Sequence, residues 1–319
     1  LKDLIPLIQD FGATVVPADV DPETLNITTA AIAAKLSPRT KAVIVLHAFG
    51  SPAPMPEILA VTDPAGVPVI EDCAHALGAT LANRQVGSFG YAAFFSFEMT
   101  KPVNTYGGGM VVSRDASLIE IIRNREAQKP FNLEGMLQKV KATQREMLLM
   151  NTGVAWPLLL LMAHPGTKAL LSAAYRRSQC VPAATVRYSP LQARLGLEKL
   201  AALEDRIRHR QHLAARYDEY LPTPVHLQRP METASPTWYF CTALLPVSAA
   251  AIRSRMLLRR VDAAVDEEVA DDCGTLLGSN DCPNAKAVFS KTLALPMFDG
   301  CREADVKRAV HVLSNVLPA

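Results

Sequence analysis

The sequence predicts an α/β protein with a large, mostly parallel sheet covered by helices on both faces, followed by a small α+β domain. The first observation is that the β-rich apolar runs are continuous rather than alternating, as in strands that are buried on both faces. The second is that helix patterns separate these runs, as in α/β/α layers. The third is a length of 319 residues, which exceeds one ordinary domain. We place the large domain at 1–186, with a helical insertion at 116–186, and the long helix and small domain at 187–319.

The first 115 residues alternate between helix and strand patterns. The chain opens in an amphipathic helix pattern, LKDLIPLIQDFGA, and two further helices are predicted at 22–36 and 54–66. Strands are predicted within 13–20, 41–50, 67–79, 91–97 and 109–115. In open parallel sheets, ligands bind outside the carboxyl ends of the strands, so the polar residues that follow these runs are the candidates for chemistry.

The second part of the chain is richer in helix. After an irregular helical stretch, residues 189–221 read as one long amphipathic helix that opens with Ser-Pro. Its predicted apolar side carries Leu191, Leu195, Leu200 and Leu203. The small domain then follows, with strands predicted within 236–246 and 292–298 and helices at 248–261 and 302–317.

The composition is that of a soluble globular protein, with 49% hydrophobic and 20% charged residues. A net charge of +2 and only 6% aromatic residues give no basis for nucleic-acid binding. The cysteines are scattered, without a CxxC pair or a histidine at zinc-ligand spacing, so we expect no metal site. Free thiols favour a reducing compartment, and we expect a cytoplasmic protein.

The longest apolar run is VAWPLLLLMA at 154–163, which is shorter than the roughly 20 residues that cross a bilayer. The favoured interpretation is a buried or dimer-packing helix. The alternative is a helix at 153–177 that lies on a membrane surface.

Two neighbouring strand ends carry the candidate chemistry. In VIEDCAHALGA, Asp72 follows an apolar run and His75 comes three positions later. Asp72 could equally cap the following helix, and His75 could be an ordinary helix residue. In FFSFEMTKPVNTYGGGM, Ser96 ends a strand and Lys101 follows in a loop before the glycines 107–109. A lone loop lysine is most often a solvated charge.

The combination of these groups is more informative than any one of them. An acid and a lysine at neighbouring strand ends, beside glycine-rich backbone, match the needs of pyridoxal 5′-phosphate. This cofactor forms a Schiff base with a lysine, and an acid keeps its pyridine nitrogen protonated so that the ring accepts electrons. Hydroxyl groups or backbone amides must hold its phosphate.

The sequence resembles the DegT/DnrJ/StrS-type sugar aminotransferases, which are pyridoxal-phosphate enzymes of fold type I, the aspartate aminotransferase-like fold. The resemblance runs from about residue 10 to the C-terminus. It rests on segments that occur in the family's order and near its spacing: DVDPETLNI, SPRTKAVIVLHAFGSPAPM, VIEDCAHALGA, NRQVGSFG, FSF…TK…GGMV, SPLQARLGLEKL and ALPMF.

The resemblance implies roles for individual residues. Lys101 matches the Schiff-base lysine that also moves the proton, and Asp72 matches the acid paired with the pyridine nitrogen. His75 matches a position that contacts the phenolic oxygen of the ring, and Ser96 matches a serine that holds the phosphate. Gly108, in the glycine run, is the further cofactor-binding candidate.

The implied reaction is the transfer of an amino group from an amino acid, usually L-glutamate, to a nucleotide-linked ketosugar by a homodimer. Such reactions serve polysaccharide, lipopolysaccharide or secondary-metabolite sugar biosynthesis. Relatives that dehydrate sugars replace the lysine, so Lys101 favours transamination. The alternative is a non-catalytic or truncated family member with a role in binding or assembly.

Several positions depart from the family pattern. Gly107 stands where an acid is usual, Glu98 where His is frequent, and Thr185 where an Asn commonly reaches the partner subunit's cofactor phosphate. His47 matches a position near the active site, but it could equally pack at its strand end. The family's N-terminal segment, with a phosphate-binding loop and two strands of the large sheet, is missing from this sequence, so an open sheet is expected.

Overall fold

A computed structural model describes residues 2–151, 155–162, 167 and 186–318. Its main sheet has the strand order β1-β2-β5-β6. These strands are β1 Val43–Leu46, β2 Val69–Asp72, β5 Ala92–Ser96 and β6 Gly109–Ser113. β1, β2 and β5 run parallel, and β6 is antiparallel to β5. This mixed α/β sheet confirms the predicted fold class.

Helices precede, connect and follow these strands. They are α1 Leu4–Asp10, α2 Thr29–Lys35, α3 Met55–Thr62, α4 Ala116–Ala127, α5 Leu133–Asn151, α6 Ala155–Met162, α7 Pro190–Ala201 and α8 Leu203–Tyr220. Side-chain caps define several starts. Thr28 accepts from the N–H of Ala31, and Ser189 forms a capping box with Gln192 directly before Pro190.

The C-terminal part contains an antiparallel sheet with the order β10-β11-β9-β7. Its elements are β7 His226–Leu227, β9 Cys241–Leu244, α9 Ala249–Leu258, β10 Ala264–Val265, α10 Cys273–Leu276, α11 Pro283–Phe289, β11 Thr292–Leu295 and α12 Glu303–Ser314. A third, short sheet joins β3 Thr80–Leu81, β4 Arg84–Gln85 and β8 Ala234–Ser235. Tyr217 of α8 lies fully buried in the core of the C-terminal part.

The strand prediction at 13–20 was wrong. That segment forms only a bridge between Val20 and Ile27, because no neighbouring strand in the described chain pairs with it. The helix predicted at 22–36 begins only at Thr29, since Asp21 organises a turn by accepting from the N–H groups of Glu23 and Thr24.

The long helix predicted at 189–221 is two helices. They meet at Ala202, whose φ of −97° and ψ of 0° are not helical. The break leaves part of the expected apolar side uncovered: Leu191 is 51% and Leu200 45% exposed, whereas Leu203 is buried.

No helix of the described residues is long and apolar enough to cross a membrane. The segment 153–177, for which a buried or dimer-packing helix is the favoured interpretation and a helix on a membrane surface the alternative, lies largely outside the described residues. The residues directly before the proposed domain boundary at 186 also lie outside them. That boundary stays a prediction.

Candidate active site

The carboxyl ends of the three parallel strands bring together residues that the sequence singled out. Asp72 and Ser96 are the last residues of β2 and β5, and His47 follows β1 directly. The register places Leu46 opposite Asp72, and Asp72 opposite Phe94. The candidate residues therefore share one edge of the sheet, where α/β proteins bind ligands.

Asp72 is a buried carboxylate with few partners. It is 5% exposed, and one oxygen accepts a hydrogen bond from the N–H of Ala74 at 3.0 Å. The other oxygen has no hydrogen-bond partner among the described residues. Burial raises the pKa of Asp72, and the nearby positive charge of Lys101 offsets this only in part. The site thus holds an acid that would be stabilised by a cationic group.

The preceding acid, Glu71, is buried but fully engaged. Its carboxylate accepts from His47 Nε2 at 3.1 Å and from the N–H groups of Gly87, Phe89 and Gly90 at 2.7–2.8 Å. Burial by itself would raise the pKa of Glu71, but these hydrogen bonds outweigh burial and lower the pKa. Glu71 therefore fixes the loop 87–90 against the end of the sheet.

His47 is held by the same network. Its Nδ1 accepts from the N–H of Ala53 at 3.0 Å, so Nε2 carries the proton that is donated to Glu71. Cys73 lies near this pair, and the three side chains form the kind of cluster that can bind a metal. Both carboxylate oxygens and both ring nitrogens are already hydrogen-bonded, so the geometry favours a structural role.

Lys101 lies in the loop 97–108, whose backbone is held by helices α7 and α8. The Gln192 amide donates to the carbonyls of Thr105 and Gly107 at 3.1 and 3.2 Å, and Lys199 donates to the carbonyl of Asn104 at 2.6 Å. Arg206 donates to the carbonyl of Pro102. These contacts fix the path of the backbone that directly follows Lys101.

The amine of Lys101 lies beside Tyr239, which enters from the C-terminal part. Nζ is 3.4 Å from the tyrosine hydroxyl and 4.5 Å from the ring centroid. On the same tyrosine, His75 stacks at 4.2 Å between centroids with 15° between the planes. Lys101, His75 and Tyr239 line one cleft together with Phe49 and Arg210.

His75 is kept neutral by its surroundings. Burial, followed by the positive charge of Lys101, holds the pKa of His75 well below its ordinary value of 6.5. Its Nδ1 is a buried polar atom that has no hydrogen-bond partner among the described residues. Such an unpaired atom is costly unless a ligand satisfies it.

Ser96 and Gly108 lie away from this cleft. The Ser96 hydroxyl accepts weakly from the N–H of Glu98 at 3.4 Å, and a Cβ on Gly108 would lie 2.3 Å from the ring of Tyr188. Gly108 therefore allows the close approach of Tyr188. Neither residue is among those that line the cleft, and their cofactor role stays a prediction. Thr185 lies outside the described residues.

Glu98 and Gly107, which depart from the family pattern, are neighbours. A Cβ on Gly107 would lie 3.4 Å from Glu98 Oε1 and 3.2 Å from Lys139 Nζ. Lys139, on α5, pairs with Glu98 at 3.0 Å. Glu98 thus supplies a carboxylate near the position where the resemblance expects an acid at 107.

The sequence was then compared with known proteins. The profile of the DegT/DnrJ/EryC1/StrS aminotransferase family matches residues 5–314. The chain belongs to this aminotransferase family. Sugar aminotransferases of this family use pyridoxal phosphate and have fold type I, and this protein is an aminotransferase that uses that cofactor.

Individual relatives are consistent with this family. The chain is 28% identical to the spore coat polysaccharide biosynthesis protein SpsC of Bacillus subtilis, over 96% of this chain and 74% of that protein. Over 35% of this chain and 31% of the relative, it is 48% identical to a UDP-N-acetyl-3-dehydro-alpha-D-glucosamine 3-aminotransferase of Acidithiobacillus ferrooxidans. The crystal structure of the aminotransferase TlmJ from Streptoalloteichus hindustanus superposes with a TM-score of 0.74 at 25% identity, covering 98% and 75% of the two chains.

The residues of the cleft, together with Asp72 at the end of β2, fit the family's cofactor. Asp72 offers a buried carboxylate with an unbonded oxygen, and His75 offers an unpaired ring nitrogen. Lys101 offers an amine that has no carboxylate partner within ion-pair distance among the described residues. Tyr239 is the contact that sequence reasoning missed, because it lies 138 residues from Lys101 in a segment that reads as a core strand.

Proposed function

We propose that this aminotransferase moves an amino group from L-glutamate to a ketosugar carried on a nucleotide. The observation that carries the proposal is that Lys101 and His75 line one cleft, while the positive charge of Lys101 acts on Asp72 at the end of β2. The name of the Acidithiobacillus relative, which denotes amination of a UDP-linked 3-dehydro sugar, supports a nucleotide-linked acceptor. Glutamate as donor is the expectation carried by the family resemblance.

Each residue has a distinct role in the proposed reaction. When bound, pyridoxal phosphate supplies an aldehyde that condenses with amines and a ring that accepts electrons from the substrate carbon. The Lys101 amine would hold the cofactor, and the same amine would serve as the base that takes a proton from the substrate carbon. Asp72 stabilises positive charge on the pyridine nitrogen, and neutral His75 offers its ring nitrogen to a cofactor oxygen.

The decisive experiment is to add pyridoxal phosphate to the full-length gene product and record its visible absorbance. We expect a band of lysine-bound cofactor that L-glutamate bleaches. Lys101→Ala should abolish the band because alanine has no amine that could bind the cofactor. Lys286→Ala, which removes an exposed lysine of α11, is the matched control and should keep it.

The same experiment separates the proposal from its alternative, a non-catalytic protein with a binding or assembly role. A wild-type protein without the band contradicts the catalytic proposal. A band that forms but resists L-glutamate contradicts the proposed donor, and a panel of other amino acids then identifies the amino donor by bleaching.

We further propose that the enzyme works in the cytoplasm as a homodimer. The described cysteines are free, as in a reducing compartment.

Helices α5 and α7 expose a set of large apolar side chains that a second copy would cover: Leu133, Leu137, Met147, Leu148, Leu149, Leu191, Leu197 and Leu200. Sedimentation of the full-length protein tests this, and a monomer at micromolar concentration contradicts it.

A further inference from the structure

The lysine at the centre of the cleft has a side chain that the loop alone does not fix. Hydrogen bonds from α7 and α8 hold the backbone of the loop, but four methylene groups separate that backbone from Nζ. A free lysine side chain has rotamer entropy of about 2 kcal/mol at room temperature. An amine that must meet a cofactor in one orientation therefore needs a contact at its tip.

Among the described residues, Tyr239 supplies the hydrogen bond and the ring contact of that amine. The hydroxyl lies at 3.4 Å, and the ring face lies at 4.5 Å from its centroid. The hydroxyl accepts from the ammonium group, and the ring attracts the same charge. The two contacts act together to hold Nζ over one side of the tyrosine.

Tyr239 is itself rigidly held. It is 8% exposed, its ring stacks on His75, and its hydroxyl donates to Thr100 Oγ1 at 3.0 Å. Arg210 donates to its backbone carbonyl at 3.2 Å. A tyrosine side chain has only two torsions, and here both its ring and its hydroxyl are held. It is therefore more ordered than a lysine side chain without such contacts, and it can fix the position of the amine.

We propose that Tyr239 is a positioning residue for Lys101, with its hydroxyl setting the direction in which the lysine amine enters the cleft. The inference rests on the proposed function, because it assigns the amine to the cofactor. A role in core packing would account for the ring of Tyr239, since it stacks on His75 and meets Phe240 edge to face. It does not account for a hydroxyl placed between Thr100 and the amine, so the hydroxyl is what the experiment must change.

Tyr239→Phe removes the hydroxyl and keeps the ring. The matched control is Tyr220→Phe, which removes a hydroxyl bonded to Glu303 at 2.9 Å in the C-terminal part. The first measurement is the rate constant at which the visible band of lysine-bound cofactor appears after mixing with pyridoxal phosphate. We expect Tyr239→Phe to slow it about tenfold, the effect of losing one hydrogen bond, and Tyr220→Phe to leave it unchanged.

The second measurement uses the cofactor-free protein and acetic anhydride, with the acylation of each lysine followed by peptide mass spectrometry. Losing the hydroxyl releases the amine, so we expect Lys101 to be acylated about threefold faster in Tyr239→Phe, with Lys286 as internal reference. If Tyr239 had a purely structural role, removing its hydroxyl would not raise the acylation rate of Lys101 and at the same time lower the rate at which lysine-bound cofactor forms.

Unchanged values in both measurements overturn the proposal. If both rates rise or fall together in Tyr239→Phe, the variant has altered the access to the cleft and the positioning role is again refuted. If the wild-type protein forms no visible band, the proposed function fails. The acylation measurement then still decides whether Tyr239 holds Lys101.

Discussion

Two adjacent acids show how the environment of a single residue decides its role. Glu71 and Asp72 are both buried in β2, yet Glu71 accepts four hydrogen bonds and Asp72 accepts one. The pKa of Glu71 is lowered and that of Asp72 is raised. Glu71 is thus a stable structural anion, whereas Asp72 keeps bonding capacity for a cationic partner.

The raised pKa of Asp72 predicts a cost to stability in the cofactor-free protein. A carboxyl group whose pKa is higher in the folded state favours folding below its unfolded pKa, and that contribution is lost as pH rises through the folded pKa. Asp72→Asn should therefore increase the free energy of unfolding at pH 7, by about 1.4 kcal/mol for each pKa unit of the shift. Asp72→Asn should also weaken cofactor binding, because a neutral amide cannot balance the positive charge of the protonated pyridine nitrogen.

Urea unfolding at several pH values checks this prediction. The advantage of Asp72→Asn should vanish below the ordinary pKa of 3.8, where aspartic acid is protonated in both states. Asp63→Asn, at an exposed position after α3, is the control and should match the wild type. A difference between Asp72→Asn and the wild type that is independent of pH would refute the role of ionisation.

The loop 97–108 is the element that presents Lys101, and its geometry depends on a glycine. Gly107 has a φ of +122°, a backbone conformation that side chains oppose, and an added Cβ would lie 3.2 Å from Nζ at the flexible end of Lys139. Gly107→Ala should lower the free energy of unfolding by about 2–3 kcal/mol. It should also slow the formation of lysine-bound cofactor, because the loop must shift.

Gly66→Ala is the matched control, since Gly66 has a φ of +65° but no atom within 4 Å of its Cβ position. Its cost should be about 1 kcal/mol, from backbone strain alone. Chemical denaturation of both variants measures the difference. Equal costs would show that neither the φ of +122° nor the nearby Lys139 makes Gly107 more demanding than an ordinary left-handed position.

At the scale of the whole molecule, the C-terminal part braces the strand ends of the sheet. Thr237 donates to the carbonyl of His75 at 2.9 Å. Gln228 is 2% exposed and donates to the carbonyls of Thr24 and Ala48 at 2.6 and 3.2 Å. The two parts are thus joined by buried polar contacts next to the cleft, and a change in one part is transmitted to the other.

Gln228→Ala should destabilise both parts together. It removes the side-chain donor to the carbonyl of Thr24 and leaves the buried Thr242 hydroxyl without its acceptor, Gln228 Oε1, so it should reduce the free energy of unfolding by about 2–3 kcal/mol. Gln138→Ala, at an exposed position of α5, should have little effect. Circular dichroism and tryptophan fluorescence should report a shifted but still coincident transition, whereas a split into two transitions would contradict the bracing role.

The sequence predicted those features of the site that depend on residues close together in the chain. Asp72 and Lys101 follow apolar runs, so their placement at strand ends follows from the pattern alone. Tyr239 was out of reach, because its partner is distant in the chain and its neighbours read as an apolar strand. The break at Ala202 was also missed, since alanine is a strong helix former and only packing ends the helix there.

The hydrogen bonds of Glu71 also bear on how the chain folds. Successive side chains of a strand point to opposite faces, so Glu71 faces the loop 87–90 when Asp72 faces the other side of β2. Sliding β2 by one residue would put the shorter Asp72 in front of His47 and the N–H groups of that loop. Those donors would lose their acceptor inside the protein. A sheet with β2 shifted is therefore less stable even without a ligand, and folding favours one alignment of the strands.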